Sequence, residues 1–348
     1  MAPKIVSRRR SPIARPSRVV SIEWLVNPSP GQLVEAARLL SDFYREFLPD
    51  EPDTPADELA AGSQCEENRR ATVAVATDET GAVGTARVIF RDVKGRHDIA
   101  GVDHFVVRPD RRRQGVGTAM LAAIVEQARA EQRARLEHFV LKTHSAGMGF
   151  AAATGAHAGL VDDHNRLETA RIDADLMKRW IAEGERNSPA YSLVPIDDLC
   201  PDQWLDRLAR VSQVMNTAPR SQDQDEVIWT AGELRAHEKA LVARGFWHWT
   251  LAVLHERSGD LVGLTELCGS RYQPWLAQQG DTGVEIPHRG RGLAKWMKAT
   301  NALRLLAERP EATVIETSNA GVNAPMLAIN HAMGFRRVAE WQEWTLPI

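Results

Sequence analysis

Apolar and polar positions along this chain follow one succession of periodicities, and that succession occurs twice. Residues 18–26 (RVVSIEWLV) predict a first strand, and 29–48 predict a helix with Leu33, Ala36, Ala37 and Leu40 at helical spacing. Residues 71–90 carry two β-rich runs around a polar turn with Gly81, the pattern of a hairpin. A strand follows at 99–107, then a loop (RPDRRRQGVG) and a helix whose Met120, Leu121, Ile124, Val125 and Ala128 share a face. A strand at 136–143, a short helix ending at Gly155 and a last strand at 166–173 close the unit.

Residues 174–190 predict a linking helix that ends in a Pro-containing loop. The order then restarts. A strand at 190–196 and a helix at 202–215 precede a hairpin at 246–269 that turns at Ser258-Gly259-Asp260. A strand at 280–287, the loop HRGRG, a helix at 293–308, a strand at 312–318, a short helix at 323–335 and a strand at 336–346 follow. Gly115 and Gly155 stand 40 residues apart, and Gly292 and Gly334 stand 42 apart. The pattern therefore predicts a basic disordered leader at 1–17, an α/β unit at 18–173, a helical linker at 174–190 and a second α/β unit at 191–348.

Composition narrows the class. The chain has 348 residues, enough for two cores, with 43% hydrophobic and 26% charged residues, as in soluble globular proteins. The formal net charge is -3, so no global basicity points to nucleic acid. Cys65, Cys200 and Cys268 are too scattered for a zinc site or a disulfide framework. No apolar run is long enough to span a membrane, and a cytoplasmic location without a metal is expected.

The chemistry sits in the two glycine loops. A strand that enters a helix through glycines leaves the first-turn amides free and aims the positive end of the helix dipole at an anion. Flanking arginines add forked donors. Neither loop has the G-x-x-x-x-G-K-[ST] or G-x-G-x-x-G spacing. Both have [QR]-x-x-G-x-[GA], as Arg112 to Gly115 and Gly117 and as Arg289 to Gly292 and Ala294.

On these loops and the element order around them, residues 18–348 resemble a tandem member of the GNAT superfamily of acyl-CoA-dependent N-acyltransferases. The resemblance implies two GNAT-like domains, each a mixed, mostly antiparallel sheet flanked by helices. It implies acetyl-CoA as co-substrate, with the pyrophosphate on Arg112, Arg113, Gln114, Gly115, Val116 and Gly117 or on Arg289, Gly290, Arg291, Gly292, Leu293 and Ala294. Val107 and Val284, each eight before the loop glycine, with Glu285 and Ile286 beyond Val284, then mark the backbone that pairs with the pantetheine. Asn323, followed by AINHAMGF, resembles the family's helix beside the coenzyme; His144 holds that place in the first unit.

The acid and base usual in the family are absent. The position of its tyrosine acid holds Asn330, or Ala151 in the first unit, and its usual carboxylate position holds Gln278 or Gly101. Glu266, in an otherwise apolar strand, is the first candidate base and Asp281 the second; Tyr272 is the tyrosine expected in a loop facing a cleft. Asp103 and His104 occupy the corresponding strand of the first unit. Trp247 and Trp249 share a strand face and, with the acidic loop 216–226, suggest an amine pocket. The expected activity is acetyl transfer to a primary amine of a small molecule by direct attack on the thioester, with the second unit catalytic. A carrier-protein or aminoacyl-tRNA donor, or a CoA-binding scaffold without turnover, are the alternatives.

Overall fold

The structure, a computed structural model, describes residues 20–221 and 225–348. The expected leader at 1–17 and part of the acidic loop at 216–226 lie outside the described residues. The first unit contains β1 (Ser21–Val26), α1 (Val34–Phe47), α2 (Ala56–Gly62), β2 (Arg69–Asp78), β3 (Gly81–Arg91) and β4 (Ile99–Val107). It continues with α3 (Val116–Ala130), β5 (Arg135–Leu141), α4 (Ser145–Ala153) and β6 (His157–Glu168). Helix α5 (Ala174–Asn187) leads to β7 (Tyr191–Asp197), α6 (Asp202–Ser212), α7 (Ala231–Ala243), β8 (Phe246–His255) and β9 (Asp260–Ser270). The chain ends with β10 (Gln273–Val284), α8 (Leu293–Glu308), β11 (Val314–Ala320), α9 (Ala324–Met333) and β12 (Arg336–Pro347).

The strands form one sheet in the order β1-β2-β3-β4-β5-β12-β6-β11-β10-β9-β8-β7. Pairing is antiparallel except at β4/β5 and β10/β11. Each parallel pair is short: Ile99 to Val102 against Arg135 to His138, and Leu276 to Gln278 against Val314 to Glu316. Beyond those residues the strands diverge, so each unit carries a V-shaped opening in its sheet. The last strands of the units are exchanged. Strand β12 lies between β5 and β6, and β6 lies between β12 and β11. Two mostly antiparallel sheets are thereby fused across the middle of the molecule.

Helices cover both faces. In the first unit Val116, Met120, Ile124 and Ala128 of α3 pack on β2, β3 and β4, while Leu33, Ala36, Ala37, Leu39, Leu40 and Phe43 pack α1 on the other face. Each such fully buried Leu, Ile or Met stabilises the fold by about 1.5–3 kcal/mol. In the second unit α8 packs on the face shared with α5, and α6 covers the opposite one. The linking helix α5 is docked: a Cβ on Gly184 would stand 2.6 Å from Trp296, and Lys295 Nζ lies 5.1 Å from the Trp180 ring.

Four elements differ from the periodicity. Strand β6 begins at His157 rather than 166, because Asp162, Asp163 and His164 interrupt the apolar alternation. Strand β10 begins at Gln273, where Gln278 and Gly280 interrupt it in the same way. Helices α2 and α7 lie where no helix was expected; α2 is a single short run, and α7 starts at a capping box of Thr230 and Glu233.

Candidate functional site

The two loops have the same geometry. Gly115 (φ 87°) is the N-cap of α3 and Gly292 (φ 79°) that of α8, both left-handed, and no side chain caps either helix. That conformation turns the strand sharply into the helix and is strained for any residue with a Cβ. The first-turn amides of each helix are left facing outward. Their surroundings differ. In the first unit the Arg112 fork is held by both Glu46 oxygens at 2.7 Å, its Nε bonds Val107 O at 3.0 Å, and its guanidinium lies over Phe47. Phe47 stacks on His144 with centroids 4.5 Å apart, and Phe150 packs edge-on to Phe105 and approaches Gly117. Aromatic rings thus crowd the first opening. In the second unit Arg289 bonds Val284 O at 2.7 Å and Thr217 at 2.5 Å, while the Arg291 guanidinium has no partner among the described residues. The positions of Cβ atoms on Gly290 and Gly292 are open space.

On the side of the sheet away from those loops, both units open into one chamber of about 1030 Å³. Its first-unit walls come from α1, α2, β3 and β4, its second-unit walls from β9, β10, α7 and residues 212–220 and 225–229, with β6, β11 and β12 between. Strand alternation aims Arg87, Ile89 and Arg91 of β3 into it, and Glu266 and Cys268 of β9.

The same β-bulge lies on each wall. Strand β4 gains one residue against β3 around His104, and β10 gains one against β9 around Asp281. Gly84 pairs with Val107 and Gly263 with Val284, which makes Arg87 the counterpart of Glu266 and His104 that of Asp281. The two walls therefore bear opposite chemistry at matching positions. On the first, Arg87 grips Asp103 in a bidentate pair of 2.8 and 2.6 Å. Burial alone would lift the Asp103 carboxyl, but His104 and Arg87 outweigh it and hold it below its usual range. His104, held at φ 52°, is pushed by burial down to about 4 and is neutral at pH 7.

On the second wall Glu266 Oε1 lies 3.8 Å from His248 Nε2, and the Asp281 amide donates to the Glu266 carboxylate. Burial alone would raise Glu266, but the His248 contact and that amide keep it below the usual carboxylate range. Burial would likewise depress His248, and Glu266 overrides it and raises it. Asp281 differs. Its carboxylate has no hydrogen-bond or ion-pair partner among the described residues. By surface area Asp281 is exposed to the chamber, and it is the protein packed around that opening, together with the adjacent Glu266 charge, that pushes its carboxyl up to about 7.

The structure brings Glu266, Asp281 and Gln278 together on one wall, with Asp103 and His104 facing them across the chamber. Tyr272 is placed elsewhere: it sits on the β9–β10 turn at a small surface cleft with Gln64, and its hydroxyl accepts from Arg271 at 2.9 Å. The tyrosine that reaches the chamber is Tyr44, whose hydroxyl is pushed up to about 12 by burial and by Glu51. Its helical spacing from Leu40 was the signal for it. Asn330 is buried in α9 against Asn319, and Asn323 stands at the N-cap position of the same helix without a side-chain capping hydrogen bond; neither lines the chamber. Val284 is buried under α8, Glu285 is paired with Arg210 at 2.9 Å, and Ile286 is exposed. Trp247 and Trp249 do not form an amine pocket. They pack against each other in the core, and Arg309 and Arg304 lie over their rings. Trp229 and Trp341 line the chamber instead, together with Asp225 of the acidic loop. Glu51, His164 and Glu316 cluster closely enough for a metal ion, but the Arg166 guanidinium already bridges the two carboxylates.

Comparison with known proteins agrees with this geometry. The model of the acetyltransferase (GNAT) family matches residues 34–155. No curated protein matches the chain. Among solved structures, a tandem GNAT protein from the clavulanic acid biosynthesis pathway is similar over 94% of this chain and 98% of its own, at 25% identity and a TM-score of 0.75. A GCN5-related N-acetyltransferase from Sphaerobacter thermophilus shares the fold at 18% identity, covering 94% of this chain and 95% of its own, with a TM-score of 0.61. A putative acetyltransferase from Pyrococcus horikoshii does so at 12% identity, covering 97% and 93%, with a TM-score of 0.58.

Proposed function

We propose, for a chain that belongs to the GNAT superfamily and carries its fold twice in tandem, an acyl-CoA-dependent N-acetyltransferase acting on a primary amine of a small molecule. The acceptor lies in the central chamber, and the second unit does the chemistry. The observation that carries this reading is Asp281: an unpartnered carboxylate on the chamber wall, three residues before Val284, raised to about 7. A base with a pKa near the working pH combines a useful ionised fraction with a strong enough pull on the proton.

The residues present fit the donor. The bare N-terminus of α8, its left-handed Gly292 and the free Arg291 suit a pyrophosphate, and the opening between β10 and β11 suits the arm that follows. Acetyl-CoA supplies an activated thioester. Ionised Asp281 takes a proton from the acceptor ammonium, so that the nitrogen lone pair is free to attack. The new C–N bond forms as the C–S bond breaks; the nitrogen gives its second proton to chamber water, and the leaving thiolate takes one up from that water. Glu266, fixed by His248, positions Asp281 through its amide and sets its proton affinity. This reverses the order of the two candidates expected from the sequence. His104 at the matching bulge is a weak base at neutral pH. The family match to residues 34–155 bears on fold and coenzyme loop, not on this acid–base group.

The test is thiol release from acetyl-CoA with a panel of primary amines, followed across pH. The expected kcat/KM rises with pH through an acid limb near 7 and then levels. A profile with no limb between pH 6 and 8 would contradict Asp281 as the base.

A further inference from the structure

Two charges that line the chamber on opposite units, Arg91 and Asp281, have no hydrogen-bond or ion-pair partner among the described residues. Six arginines line it. Arg87 is bound to Asp103, Arg96 to Glu137, Arg244 and Arg69 to Glu66, and Arg220 to Asn216 and Glu226. Arg91 alone among them has no hydrogen-bond or ion-pair partner among the described residues. It closes β3 of the first unit, two residues beyond Ile89 on the chamber side, and Arg96 and Arg87 act on it with like charge. The surrounding protein and these two neighbours lower its proton affinity while the Asp103 and Glu66 charges oppose them, and its side chain stays exposed to the chamber with no group paired to it among the described residues. The second unit presents the complementary lack, the Asp281 carboxylate without a cation.

We infer that the acceptor is a zwitterion, an amine that also carries a carboxylate, with the carboxylate bound by Arg91 of the first unit and the amine delivered to Asp281 of the second. This rests on the acyl-transfer reading for the role of the amine, but not for the binding of the anion. A guanidinium fork matches a carboxylate in two parallel hydrogen bonds. A carboxylate matches the one guanidinium lining the chamber that has no partner among the described residues. The first unit then has a function without turnover of its own: it is the specificity wall of the second unit's site.

The test uses the full chain with ω-amino carboxylates of three to eight carbons and their matching ω-amino amides. Binding is read by calorimetry and by the fluorescence of Trp229 and Trp341, and turnover by thiol release from acetyl-CoA. At the best chain length the carboxylate is expected to bind about tenfold or more tighter than its amide, the scale of a charge-assisted hydrogen-bonded pair. In Arg91→Met that ratio falls toward one, and in Arg91→Lys it is partly kept. Equal binding of acid and amide by the unmodified chain, which needs no variant, overturns the inference. So does a preference that survives in folded Arg91→Met. Thiol release without any acid preference removes the zwitterion and leaves acyl transfer standing. Acid-selective binding without thiol release supports Arg91 and counts against acyl transfer.

Discussion

At the scale of single residues, one carboxylate is left costly in the folded state. Asp281 has a folded pKa of about 7 against an ordinary 3.8, so the native state binds its proton more tightly than the unfolded chain does. The sign follows from linkage: its ionisation costs native stability above pH 7, and the cost disappears as pH falls toward 4. Asp281→Asn is therefore expected to melt higher than the parent at pH 8, by a margin that the solvent reaching this exposed carboxylate keeps small, and at the same temperature at pH 4. A lower melting point at pH 8 would show that Asp281 is structural. Glu266→Gln removes the like charge beside Asp281 and should move the acid limb of kcat/KM to lower pH. A limb that stays in place would show that the two carboxylates are not coupled. The residue types were legible in the sequence, since an acidic residue in an apolar strand stands out. Their ranking was not, because it depends on His248 from β8 and on the bulge that turns Asp281 into the chamber. Arg91 was equally invisible, because a missing partner is a property of the whole fold.

At the scale of elements, the glycine loops were the clearest signal, and both helices start where the loops predicted. A valine at either N-cap must adopt φ near +80°, at a cost of about 1–3 kcal/mol, so both substitutions should destabilise the chain to a similar degree. Function should separate them. Gly292→Val is expected to abolish acetyl-CoA-dependent thiol release, while Gly115→Val costs less than about threefold. Calorimetric titration with acetyl-CoA alongside thermal melts would reveal the opposite ranking, which would move the working coenzyme loop to α3. Strands rich in chamber-facing polar groups were harder to read. In β6 the run Asp162, Asp163 and His164 imitates a loop, because a strand lining a polar chamber lacks the apolar alternation of one on a core.

At the scale of the whole molecule, repetition was legible and exchange was not. Two similar units follow from the order of elements, but β6 and β12 have similar patterns, and periodicity carries no information about which neighbour a strand will choose. The exchange makes the units interdependent. A fragment of residues 1–187 lacks the strand between β5 and β6 and is left with unpaired edges. It is expected to aggregate or melt without cooperativity, and to recover a cooperative melt when co-expressed with 188–348. A monomeric fragment with its own sharp transition would contradict that. The fusion also explains the shared chamber, because it fixes the Arg91 wall opposite the Asp281 wall. The central claim is that the second unit performs the transfer in a chamber that both units build. Its most direct test is steady-state thiol release by the full chain carrying Asp281→Asn or His104→Asn, the same bulge position in the two units. The account predicts a loss of roughly 10²-fold or more in turnover for Asp281→Asn, the scale of a lost general base, and less than about threefold for His104→Asn. The reverse order, or full turnover in Asp281→Asn, would contradict it.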